Sequence, residues 1–197
     1  MRKFYSLFLK IRKLPVPLIA AINGPAVGAG LCFAAAMDLR VALSDAKLGV
    51  TFVGIGLHPG MASTFFLPKL VGPQIASRML LTGELISGDE AAKIGLTLES
   101  IPATGNTPAE NNQIIVKRAV ELGQRIASQA PLAVRTCVRS IRLNTDEGLE
   151  KALWREADSQ AHCYSSTDFR EGVEAIMNKR KPVWTQYNAI PHSLIDN

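Results

Sequence analysis

At 197 residues, 47% hydrophobic and 20% charged, the chain has the length of one domain with a substantial core, and its composition excludes disorder as a whole. The formal net charge of +5 comes from Lys and Arg spread along the sequence, gathering only near Arg2-Lys3, Lys10 to Lys13 and Lys179 to Lys181; this fits solvated helix faces or attraction of a polyanionic ligand, and no zinc-finger or basic-aromatic motif points to nucleic acid. Cys32, Cys137 and Cys163 lie far apart with no CxxC pair, which suggests neither a disulfide framework nor a zinc site and fits a reducing compartment, and no apolar run is long enough to span a membrane.

Met1 to Lys10 begins basic and apolar, but charge returns at Lys10 and Arg12 before a signal-peptide core can form. The spacing predicts an amphipathic helix with Phe4, Leu7, Phe8, Ile11 and Leu14 on one face. Pro15 and Pro17 stop it, and Leu18 to Asn23 reads as a buried strand. That strand runs into Gly24, Gly28 and Gly30, residues that permit positive φ and close approach of a ligand. A buried helix follows from about Leu31 to Met37. Unsatisfied N–H groups at its start can hold an anion or a polarised carbonyl oxygen, although glycines in such a turn also serve packing alone. Arg40 to Leu43 reads as a strand, Asp45-Ala46 as a turn, Lys47 to Phe52 as a short strand, and Gly54 to Pro59 as a loop leading to a helix near Gly60 or Met61. Ser87 and Glu90 have capping-box spacing for a helix ending at Gly95. Thr97 to Ile101 is a last short strand and Pro102 to Pro108 a polar linker. Helical patterns then cover Ala109 to Gln129, Pro131 to Asn144, Thr145 to Cys163 and Asp168 to Lys179. The expected division is an α/β part over 1–102 and a helical part over 103–197, serving packing and oligomerisation.

Four ordered segments carry a resemblance: Pro17 to Gly30; Gly54-Ile55-Gly56-Leu57-His58-Pro59-Gly60-Met61; Leu81-Thr82-Gly83-Glu84-Leu85-Ile86-Ser87; and Asp168-Phe169-Arg170-Glu171-Gly172-Val173 with Asn178-Lys179-Arg180-Lys181-Pro182-Val183-Trp184. Together they resemble the crotonase family, the enoyl-CoA hydratase/isomerase superfamily. The resemblance implies an α/β crotonase-like (ClpP/crotonase) fold of stacked ββα turns with a helical C-terminal extension. It implies an acyl-CoA thioester as substrate, no separate cofactor and no metal, a homotrimer or hexamer, no nucleic-acid or membrane partner, and a cytoplasmic location, or the mitochondrial matrix in a eukaryote.

In the resembled family two backbone N–H groups stabilise the thioester enolate oxygen, at ~3 kcal/mol per donor. The match puts the second donor on Ala29, flanked by Gly28 and Gly30, and the N–H that helps hold a catalytic water on Gly60. The resemblance also implies that position 1 falls after the family's amino-terminal sheet region, which carries the first donor and much of the CoA-binding loop. The chain is therefore expected to be a fragment or a truncated gene product, or to have lost part of its site. Hydratases of the family use two glutamates around one water, because hydration needs a hydroxyl delivered and a proton supplied. The matching positions hold Cys32 and Phe52, the latter preceded by Thr51, so ordinary hydratase turnover, and isomerase turnover with it, is expected to be severely reduced.

Other residues have two readings each. Cys32 is a nucleophile or a buried inert thiol; His58 is a base or acid of the site loop, or a half-exposed loop histidine. Lys179 matches a position that reaches a CoA phosphate, or else belongs to a solvated helix end. Asp38 and Arg40 read as a structural pair, Phe169 and Trp184 as packing anchors, and His162 and His192 have no companion ligands. The expected function is handling of acyl-CoA by enolate stabilisation. The rivals are a non-catalytic acyl-CoA-binding or structural protein of this fold, and a decarboxylase or hydrolase using His58 or Thr51.

Overall fold

The computed structural model describes residues 2–184; His192 and the end of the 103–197 region lie outside them. The apolar run after Pro17 forms β1 (Ile19–Ile22). Asn23 to Pro25 step the chain into a second layer, where β2 (Ala26–Val27) is followed by α2 (Ala29–Ala35), numbered after α1 (Arg2–Phe8). The plan repeats with β3 (Leu39–Leu43), β4 (Lys47–Gly49) and α3 (Ser63–Thr82). Corresponding strands pair in parallel, β1 with β3 from Ile19↔Leu39 to Ile22↔Ala42 and β2 with β4 at Ala26↔Leu48 and Val27↔Gly49, as helical crossovers allow. β5 (Leu85–Ser87) closes the second sheet antiparallel to β4, α4 (Gly88–Lys93) follows, and β6 (Glu99–Ile101) completes the first sheet beside β3. The core lies between these layers, with Leu31, Cys32, Val41, Leu48, Val50, Leu67 and Met79 almost fully buried.

Four helices complete the described residues: α5 (Pro108–Ala127) on β1 and β3, α6 (Pro131–Thr145), α7 (Leu149–Tyr164) on α1 and α3, and α8 (Thr167–Met177) on the turn 51–55. Ser87, Thr107 and Ser166 cap α4, α5 and α8 by accepting from the N–H three residues on. The Ser87–Glu90 box is half formed, because the Glu90 carboxylate turns to Arg78 at 2.6 Å. Among the described residues no helix is long and apolar enough to cross a membrane.

Three expectations are corrected. The first helix is rotated from the expected face: Phe4, Leu7 and Leu14 are exposed, whereas Tyr5 is buried, because Tyr5 finds a hydrogen-bond partner in the interior. The α-helix ends at Phe8 and continues as a 3₁₀ turn, Leu9–Lys13. β4 ends at Gly49 and Phe52 is not on a strand. Val27, the last partner on β2, pairs with Gly49, and the next residue, Gly28, turns away at φ 58°, so residues beyond Gly49 have no strand on that side and wind into a 3₁₀ turn, Thr51–Ile55. Asp38 and Arg40 do not pair directly. Asp38 takes Arg142 at 2.5 Å, while Arg40 donates to the carbonyls of Met37 and Leu96. Burial pushes Arg40 down to about 10; burial would raise Asp38, but hydrogen bonds from Arg142 and from the Leu18 N–H hold it below its usual range.

Candidate active site

Gly28 creates the local geometry. Its φ of 58° and ψ of −118° lie where side chains are strained, and its N–H is held by the Gly49 carbonyl at 2.9 Å. This fixes the start of α2. The first N–H groups of a helix have no partner within it, no side chain caps this one, and Ala29 and Gly30 are exposed. Gly24 and Gly30 do not use positive φ. The Phe52 ring walls the same mouth, its Cζ lying 3.9 Å from where a Gly28 Cβ would stand. Thr51, half-buried, backs onto Gly83 at the end of α3, its Cα 3.5 Å from a Cβ there.

One helical turn inside α2, Cys32 donates from Sγ to the Gly60 carbonyl at 3.5 Å. Cys32 is buried, and burial, followed by the charge of Glu156, pushes this thiol up to about 12, which supports the reading as an inert thiol. Gly60 is itself buried. A Cβ there would collide with the Tyr5 hydroxyl and stand 2.8 Å from Gln160 Nε2.

Below this loop lies a polar clamp. Tyr5 donates its hydroxyl proton to Gln160 Oε1, and Gln160 Nε2 donates to the His58 carbonyl at 2.9 Å. Glu156 accepts from the Ala62 N–H at 2.5 Å on one oxygen, and from the Thr64 N–H at 2.9 Å and the Thr64 hydroxyl at 2.5 Å on the other. These bonds hold Met61 and Ala62 at φ 55° and 60°, so α3 begins at Ser63 rather than at Gly60 or Met61. Burial pushes Glu156 up to about 7 against the pull of its three donors. Burial, then the Glu156 charge, raises Tyr5. Sequence reasoning missed Tyr5, Thr64, Glu156 and Gln160. The available signal was that Glu156 and Gln160 fall on the apolar stripe of α7 with Leu149, Ala152, Leu153 and Ala157.

The structure thus brings Gly28, Ala29, Gly30 and Phe52 to one mouth, with Cys32 and Gly60 in the buried layer behind. His58 and Lys179 stand elsewhere. His58 lines a separate cavity of about 450 Å3 with Val53, Leu57, Thr64, Leu80 and Cys163. Its Nδ1 contacts the Pro59 carbonyl at 2.6 Å; a carbonyl only accepts, so Nδ1 carries the proton and Nε2 is the acceptor. Burial lowers its pKa despite that bond. Lys179 is exposed beyond α8 at φ 50°, and its neighbour Arg180 takes Glu171 at 2.5 Å. Phe169 packs edge-on against Tyr164, centroids 4.9 Å apart. Among the described residues no group of three or more His, Cys, Asp or Glu could hold a metal ion.

The family model for enoyl-CoA hydratase/isomerase matches residues 1–188. A crotonyl-CoA hydratase from Syntrophomonas wolfei is 35% identical over 89% of this chain and 64% of its own length. Two solved structures are similar: an enoyl-CoA hydratase from Mycobacterium avium subsp. paratuberculosis, TM-score 0.81, 30% identical over 91% of this chain and 70% of that one, and an enoyl-CoA hydratase/isomerase from Pseudoalteromonas atlantica, TM-score 0.80, 30% identical over 90% and 68%. The chain spans 64% to 66% of the length of the first curated relatives it matches.

Proposed function

The chain belongs to the enoyl-CoA hydratase/isomerase family and has the crotonase fold of stacked ββα turns with a helical extension, and from that premise we propose that it binds an acyl-CoA thioester and polarises its carbonyl toward the enolate. The observation that carries this reading is the start of α2, where Ala29 is an exposed residue whose N–H has no intrahelical partner or side-chain cap, next to the Gly28 position that the Phe52 ring faces. A fixed N–H in an apolar mouth stabilises developing negative charge on oxygen, at ~3 kcal/mol per donor. Lys179, exposed at a helix end, is the proposed contact for a CoA phosphate. Gly60 serves by placing its loop against Cys32 and Tyr5.

One group of observations favours a second reading, binding without ordinary hydration. Phe52 cannot take a proton, the Cys32 thiol is buried and pushed well above its ordinary range, and the carboxylate oxygens of Glu156 are occupied by Ala62 and Thr64. Exposed apolar residues on the helices, among them Val120, Leu132, Ile141, Leu143 and Ile176, support assembly as a trimer or pair of trimers. The test is calorimetric titration with crotonyl-CoA, followed on the same sample by the absorbance of the conjugated enoyl thioester. Saturable binding with the absorbance retained is expected. Turnover at a hydratase's rate would show that another acid and base serve the site, and absence of binding would overturn the acyl-CoA reading.

A further inference from the structure

A groove of about 700 Å3 lies between segment 12–15 and α6. α6 carries three arginines and no carboxylate, and Arg135, Arg139 and Arg142 succeed one another at four and three residues, all lining the groove. Arg142 is consumed by the fold. It is buried, pairs with Asp38 at 2.5 Å and donates to the carbonyls of Arg12, Leu14 and Val16. Arg12 is likewise taken by Asp146 at 2.6 Å. Lys13, Arg135 and Arg139 remain, all exposed, and among the described residues none of them has a hydrogen-bond or ion-pair partner. They stand against the lone unpaired carboxylate of the groove, Glu147.

Like charges at i and i+4 destabilise a helix. α6 keeps Arg135 and Arg139 in that relation with no anion between them, an arrangement suited to an anion that arrives from solution. We propose that this groove binds a phosphate-bearing anion, with Arg135 and Arg139 gripping its oxygens and Lys13 facing them from the opposite wall. Guanidinium forks match phosphate oxygens in paired hydrogen bonds, and an ammonium adds a point charge. The buried Arg142 bonds fasten α6 to the carbonyls of segment 12–16, so both walls of the groove are held to each other. Arg12 also donates to the carbonyl of Ala36, just beyond α2, at 2.6 Å. The groove therefore lies at the opposite end of α2 from Ala29, about 10 Å away by helical rise, and the proposal does not depend on the acyl-CoA reading.

The test is calorimetric titration of the full chain with inorganic pyrophosphate at low ionic strength, comparing the unmodified protein with R135Q/R139Q and with K117Q, an exposed cation of α5 away from the groove. Glutamine keeps helix propensity close to that of arginine, and circular dichroism verifies that both variants melt as the parent does. Saturable binding is expected in the parent and in K117Q, weakened about tenfold or more in R135Q/R139Q and weakened by added salt. Equal affinity in all three proteins, or no saturable binding in the parent, overturns the proposal. If the parent binds no pyrophosphate while R135Q/R139Q sediments as a smaller species, the arginines belong to an interface between copies of the chain and the proposal also fails.

Discussion

Glu156→Gln keeps the shape of the clamp under the Gly60 loop and removes its titration. Burial pushes the Glu156 carboxyl from its ordinary 4.5 to about 7, and that displacement corresponds to about 3 kcal/mol. The folded state binds the proton more tightly than the unfolded state. The contribution is therefore fully present below the unfolded pKa, near pH 4, and is lost as pH rises through about 7. In the variant one oxygen becomes an NH2 facing the N–H of Ala62 or Thr64, a donor against a donor, costing about 1 to 3 kcal/mol. Urea unfolding followed by far-UV circular dichroism at pH 5, 6, 7 and 8 reads both effects. Glu156→Gln should be clearly less stable than the parent at pH 5, and the gap should shrink by about 2 to 3 kcal/mol by pH 8. Groups titrating in both proteins cancel in the difference. Parallel stability curves from pH 5 to pH 8 would refute the reasoning, because the carboxyl would then have the same pKa folded and unfolded.

Gly28→Ala forces a side chain onto φ 58°, ψ −118° and should cost about 1 to 3 kcal/mol in thermal or urea unfolding, with weaker but still saturable acyl-CoA binding in calorimetry. Gly60→Ala drives its methyl group into the Tyr5 hydroxyl and should cost about 1 to 3 kcal/mol. In a double-mutant cycle Tyr5→Phe should return part of that loss, and strict additivity would show that the two residues do not meet. Thiol labelling under native conditions should modify Cys137, which is exposed, then Cys163, and should reach Cys32 only on unfolding; rapid labelling of Cys32 would contradict its burial. Arg142→Ala strands Asp38 and three carbonyls and should cost about 3 to 5 kcal/mol, read as a fall in Tm.

What could be read from the sequence is what is local. The strand after Pro17, the glycine turn into α2, the Ser87 cap and the four C-terminal helices follow from periodicity and turn chemistry, each within a few residues of its observed bounds. What escaped depends on distant partners. The strand through Phe52 fails because β2 runs out at Val27, a fact of pairing that hydropathy does not carry. The start of α3 is displaced by a carboxylate from α7, 94 residues from the amide it holds. Asp38 looked to its neighbour Arg40, but Arg142, 104 residues away, reaches it in the fold. At the site, the glycine turn at Gly28 was legible in the sequence, while Ala29 and Phe52 were named through the family resemblance and their roles remain a proposal. Tyr5 was not legible, and although Glu156 and Gln160 interrupt the apolar stripe of α7, their partners meet them only when α1 and α7 close over the loop.

The central claim is that the Ala29 N–H polarises a bound thioester carbonyl. It is tested most directly by carbon-13 NMR of butyryl-CoA labelled at that carbonyl, a saturated thioester that cannot be hydrated, bound to the parent protein and to Gly28→Ala. The account predicts a downfield shift of the bound carbonyl in the parent and its loss in the variant. A bound carbonyl resonating where it does in free solution, or shifted equally in both proteins, would contradict it.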